Sequence, residues 1–318
     1  MESELTRRLL RLLAALALVA GVPGCSSGDK VDADFDTRAA RPAYEAGGPL
    51  ALFDEAHHNW HRARKSYRPF VELIESDGYR VERNTRKITA DGLAPASVLI
   101  VVNAVGTNDR NDDPAFDDAE CDAIQGWVRA GGALLLITDH YPTGHAAARL
   151  ADRFGVKLSR GHVEDPVHFD PAYESTHLVF SQQNAGLAVH PVVEGRDAAE
   201  RVGRVLTFTG EAVFAEPPAV GFLRLSPDAV ARPPEATVEK RGDDVIVSVT
   251  YGEPAAVPGW SQGLALEYGN GRVVVLGEAA MLSAQFSGYD GRPIGMNVPG
   301  YDNRQLALNI MHWLTKVI

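Results

Sequence analysis

The chain has 318 residues, of which 45% are hydrophobic and 23% charged, enough apolar material for one large buried core or two small ones. Its formal net charge of -11 opposes binding to phosphate backbones, so nucleic acid is not an expected partner. Beyond the first thirty positions no run of eighteen apolar residues occurs, which excludes a membrane-spanning helix from the body of the chain.

The N-terminus begins with a basic stretch carrying Arg7, Arg8 and Arg11, followed by the short apolar run Leu12 to Val22 and then by Cys25. This is the layout of an export signal, and the cysteine directly after the apolar run resembles a bacterial lipoprotein signal. The expectation is a signal over residues 1–24, acylation of Cys25, and a protein held to a bacterial membrane on its periplasmic or cell-surface side. Residues 25–48 are rich in Ser, Gly, Asp, Ala and Pro and read as a flexible tether. With Cys25 lipidated, Cys121 has no disulfide partner, and its helical spacing with Ile124 and Val128 marks it as a small buried hydrophobe.

From residue 49 apolar runs alternate with helical patterns. Pro49 to Phe53 reads as a strand, residues 66–77 as a helix ended by Gly78, and YRVERNT as a second strand. SVLIVVN (97–103) and ALLLIT (133–138) are unbroken apolar strands, separated by the helix around Cys121. Residues 145–154 form a further helix. Residues 159–262 hold most of the prolines and read as a β-rich insertion or appendage. LALEYGNGRVVVL (264–276) is a hairpin turned at Gly269-Asn270-Gly271, and the chain closes with a helix over 303–316. Continuous apolar strands alternating with amphipathic helices predict a single α/β domain over 49–318, doubly wound on a mostly parallel, flavodoxin-like sheet.

The polar residues gather where the strands end. The first strand runs into Asp54 and on to His57 and His61; the third ends in Asn103; the fourth ends in Asp139-His140; the late strand ends in Glu278. Parallel strands open their carboxyl ends on one edge, where ligands bind. Asp139, His140 and Glu278 are therefore candidate catalytic groups. Asp54, His57, His61 and His140 are candidate ligands of a divalent metal, zinc or manganese, with His57 and His61 at i, i+4 spacing. Each acid has an alternative role as a helix cap: Asp54 and Asp139 as N-caps, Glu278 against a helix dipole.

The strings FDEAHHN, VLIVVNA, AIQGWVRAGGALLLITDH, AARLADRFGV, VLTFTGEAV and GNGRVVVLGEAAMLS, in this order, resemble the class I glutamine amidotransferase-like superfamily, in a bacterial branch related to trehalose-utilisation-type domains. That resemblance implies a nucleophilic Cys on the turn Thr138-Asp139-His140-Tyr141, yet the turn holds neither Cys nor Ser. Two functions follow as expectations: a metal-assisted hydrolase outside the cytoplasm, or a non-catalytic module binding a small molecule, a glycan or an envelope protein.

Overall fold

The computed structural model describes residues 28–45, 47–106, 114–241 and 244–318. The stretch expected to be an export signal and Cys25 lie outside them. The framework is a nine-stranded sheet. Its parallel half consists of β1 (Leu50–Asp54), β2 (Arg80–Asn84), β3 (Val98–Val102), β4 (Ala133–Ile137) and a late strand, Gly271–Leu276. The remaining strands are β5 (Lys157–Leu158), β6 (Val213–Phe214), β7 (Val220–Arg224) and β8 (Ser261–Tyr268), and the late strand is β9. The order across the sheet is β2-β1-β3-β4-β9-β8-β6-β5, with β7 also paired to β8. Leu276 lies opposite Ile137 in parallel register, and β8 turns back antiparallel into β9 through Gly269. There φ is +61°, a conformation glycine adopts without penalty.

Every residue of VLIVV in β3 and ALLLI in β4 is buried, because helices cover both faces. Alternate side chains divide between two cores. Val98, Ile100 and Val102 pack with Phe70 and Leu73 of α1 (Arg68–Ser76) and with Leu306 and Ile310 of the C-terminal helix, Asn303–Leu314. Leu99 and Val101 pack with Ile124 and Cys121 of α2 (Asp118–Ala130) and Leu150 of α3 (Thr143–Asp152). The last helix is α4. α2 starts in a capping box between Asp117 and Glu120 and ends at Gly131, φ +126°. Cys121 is a free, buried thiol whose pKa is pushed up to about 11 by burial.

One expectation is corrected. The segment beyond Cys25 is not a free tether over residues 28–45. Lys30 and Val31 pair with Phe286 and Gln285, the Ala39 amide donates to Ser76 Oγ at 2.8 Å, and the Ala43 amide to Asp77 Oδ1 at 2.8 Å. Composition marks this stretch as irregular, but irregular backbone still finds partners along a folded surface. The centre of the sheet is largely parallel, as expected, and β8, β6 and β5 add an antiparallel wing beside it. Residues 159–262 contribute β6 and β7 to this side of the sheet, small sheets such as 162–164 with 230–232, and a long hairpin, 234–241 with 244–251.

Candidate functional site

The strand ends carry two separate polar centres rather than one. The first lies beside β1. His57 is buried, with Nδ1 2.8 Å from Asp54 Oδ2 and Nε2 2.9 Å from Glu120 Oε1. Glu120 also accepts the Ile88 amide at 3.0 Å and closes the α2 capping box by accepting the Asp117 amide at 3.2 Å. Phe116 covers the imidazole at 4.3 Å between ring centroids. Burial pulls the His57 pKa down, but the hydrogen bonds and charges of Asp54 and then Glu120 outweigh it and hold the pKa above its ordinary value. This is a clamp, with one imidazole joining two carboxyl groups between β1 and α2.

The metal set expected from sequence is not assembled. Both nitrogens of His57 already face carboxylates, and His61 is buried against Tyr67 with its Nδ1 on Ser66 Oγ at 2.9 Å. His140 belongs to the second centre, beyond β3. Among the described residues no group of three or more His, Cys, Asp or Glu is placed to hold a metal ion. The i, i+4 spacing of His57 and His61 fails as a signal because the chain between them is not helical, and His58 sits at φ +51°.

The second centre lies over the neighbouring ends of β3, β4 and β9. Asp139 Oδ1 accepts the His140 amide at 2.8 Å, Oδ2 accepts the Ala279 amide at 3.3 Å, and Asn103 adds a side-chain hydrogen bond. Glu278 is fully buried and accepts the Ala280 and Met281 amides at 2.5 and 2.8 Å, capping the short turn Ala280–Leu282. The capping alternative therefore describes Glu278 but not Asp139, since α3 begins at Thr143 behind Pro142 and has no side-chain cap. His140 Nδ1 lies 3.0 Å from the Tyr141 carbonyl and Nε2 3.6 Å from Asp139 Oδ1.

A third acid, Glu211, arrives from the insertion. Its Oε2 accepts the Arg160 amide at 2.6 Å, the Thr138 hydroxyl adds a side-chain hydrogen bond to the carboxyl, and Oε1 lies against Gly144, where a Cβ would come within 2.2 Å of it. Burial pushes the Glu211 pKa up to about 8 and that of Asp139 up to about 6. It raises Glu278 well above its ordinary value, with the Asp139 charge adding to the effect. Three carboxyls crowded away from water hold protons at pH values where exposed ones have lost them.

Asp139 also lines a cavity of about 350 Å³. Its aromatic wall is the stacked pair Tyr173 and His177, 5.0 Å apart and 17° from parallel, with Phe208 edge-on. Burial pushes the His177 pKa down to about 4, so its ring is uncharged at neutral pH. Arg292 stands over Tyr173 at 5.6 Å and supplies a cation to the rim. Sequence reasoning does not single out Glu211, Tyr173 or Arg292. A lone acid inside the apolar string VLTFTGEAV is the available signal for Glu211; the others carry none, because loops from distant parts of the chain bring them together.

The mmIFT52 N-terminal domain has the same fold, with a TM-score of 0.57 at 14% identity over 83% of this chain and 97% of that one. A ThuA-like protein from Bacteroides uniformis is similar at a TM-score of 0.39 and 13% identity, covering 87% of this chain and 93% of its own. A GMP synthase subunit from Thermoplasma acidophilum reaches 0.40 at 9% identity, over 85% and 96%. No protein-family model matches the chain, and no curated protein matches it by sequence.

Proposed function

We propose that this chain is an exported lipoprotein with an amidotransferase-like domain of flavodoxin-like plan. In this reading it hydrolyses a small polar ligand by acid catalysis in the cavity over β4 and β9. The order β2-β1-β3-β4-β9 of the parallel strands supports the plan. The crevice next to β1 is filled by the His57 clamp, which leaves the cavity beside Asp139 as the working site. The observation that carries the reading is that Asp139 lines this cavity with a carboxyl pushed up to about 6. An acid poised there holds its proton long enough to give it to a leaving group. The aromatic wall suits the face of a ring such as a sugar, and Arg292 suits its polar edge. No step is routed through a metal, because the expected ligands do not converge.

Turnover of aryl glycosides or aryl esters tests this reading. Rate should fall as pH rises through about 6, because Asp139 works protonated. Asp139→Asn should remove turnover by a factor of about 10²–10⁴ while ligand-induced thermal stabilisation survives. A wild-type rate that rises through the same pH, or is indifferent to Asp139→Asn, refutes it. The engagement of both Asp139 oxygens with backbone amides favours a second reading, a binding module without chemistry. That version predicts ligand-induced stabilisation in both proteins and turnover in neither.

The anchor is tested separately. In cells, Cys25→Ser should move the protein from the membrane fraction to the soluble one. If the substituted protein stays in the membrane fraction, acylation of Cys25 is not what holds it there.

A further inference from the structure

The cavity mouth and the N-terminal segment share one feature, the hairpin formed by Ala284–Phe286 and Pro293–Gly295. Lys30 and Val31 add a third strand to it. At its tip the Gly28 backbone packs so closely on Gly288 that a Cβ there would lie 2.4 Å from Gly28, and the Gly288 amide donates to Asp29 Oδ1 at 2.9 Å. The chain therefore leaves the described domain at this tip. Cys25 is three residues before Gly28, which limits their separation to about 11 Å even when fully extended.

The same hairpin displays Tyr289, 95% exposed, and Phe286, 40% exposed. An aromatic ring in water this close to a lipid-bearing residue has an apolar surface within reach, and Tyr is favoured where one end of the ring is apolar and the other wet. The mouth of the cavity is bordered by Asp29, Ser287, Tyr289, Asp290 and Arg292. From this juxtaposition we infer that the tip of the 284–295 hairpin rests on the bilayer that holds Cys25, with Tyr289 in the interfacial layer, so that the cavity opens at the membrane surface and takes its ligand there. The contact is made by rings rather than charge, since the chain is acidic. The inference rests on acylation of Cys25 and deepens the proposed function by stating where the ligand is met.

The test uses the full lipidated chain in phosphatidylcholine vesicles. Tyr289→Cys carries an environment-sensitive fluorophore, and Glu267→Cys, exposed at the opposite edge of the sheet, carries the control. Cys121 is buried and leaves the labelling selective. With brominated acyl chains in the vesicles, the probe at 289 should lose most of its emission and shift to the blue, while the probe at 267 should keep its emission. Incorporation of a labelled fatty acid is measured on the same preparation. Protein that incorporates the fatty acid but shows equal emission at both sites overturns the inference and leaves the anchor standing. Failure to incorporate the fatty acid overturns both.

Discussion

Glu211→Gln should stabilise the protein at pH 8 by about 2–4 kcal/mol and destabilise it by about 1–3 kcal/mol near pH 4. The Glu211 carboxyl is fully buried and its pKa is raised from 4.5 to about 8, chiefly by burial. A raised carboxyl works against the fold as pH climbs. Above pH 4.5 the unfolded chain releases this proton while the folded chain keeps it, so stability falls until the folded group also ionises near pH 8. At ~1.4 kcal/mol per pH unit the interval bounds the penalty at roughly 5 kcal/mol. Glutamine removes the ionisation but brings an amide whose donors meet the same dry surroundings beside Gly144, which costs roughly 1–3 kcal/mol. Urea unfolding of both proteins at pH 4 and pH 8 measures the difference. Equal effects at the two pH values, or a loss at pH 8, would mean that Glu211 is not held protonated. A group that costs stability at neutral pH and lies near Asp139 is more easily understood as part of a site than of a core.

Glu120→Gln should destabilise the protein by about 3 kcal/mol at pH 6 and by clearly less at pH 9. Glutamine keeps an oxygen for the capping box but turns its amide toward His57 Nε2 and the Ile88 amide, so the Ile88 hydrogen bond is lost at every pH and the pH-dependent part of the loss reports the charge beside His57. The His57 pKa is raised, and the sign follows from that direction. The stabilisation is complete below pH 6.5, where the imidazole would be protonated even in the unfolded chain, and it fades as pH rises through the folded value. At high pH one nitrogen of the neutral ring must turn a lone pair toward a carboxylate, a repulsion the glutamine amide relieves. Denaturant titrations across this range check the sign. A loss that grows toward pH 9 would show that His57 is held neutral and that the clamp is not an ion pair.

The clamp also shows why half of the expected site is not assembled. Asp54, His57 and His61 stand out as polar residues after an apolar strand, and nothing local separates a ligand from a strut. Glu120 decides the matter, 63 positions along the chain and carried on the first turn of α2. The opposite failure occurs at Glu211, which reads as one acid in an apolar strand of the insertion. Its contacts at Arg160 and Gly144 depend on how the insertion folds back against α3.

Alternation of apolar runs with amphipathic stretches was sufficient to place β1, β3, β4, α2 and the β8–β9 hairpin, since backbone hydrogen bonding and apolar burial follow periods of two and 3.6 residues along the chain. The order of punctuation at strand ends likewise brought Asp139 and Glu278 to one edge, because parallel neighbours must finish on the same side. Whether an acid there is a cap, a clamp or a proton store depends on burial and on partners tens to hundreds of residues distant. Electrostatic environment is a property of three-dimensional neighbours, and only the folded chain supplies them: Asn103 and Ala279 to Asp139, Glu120 to His57, and the Tyr173–His177 wall to the cavity.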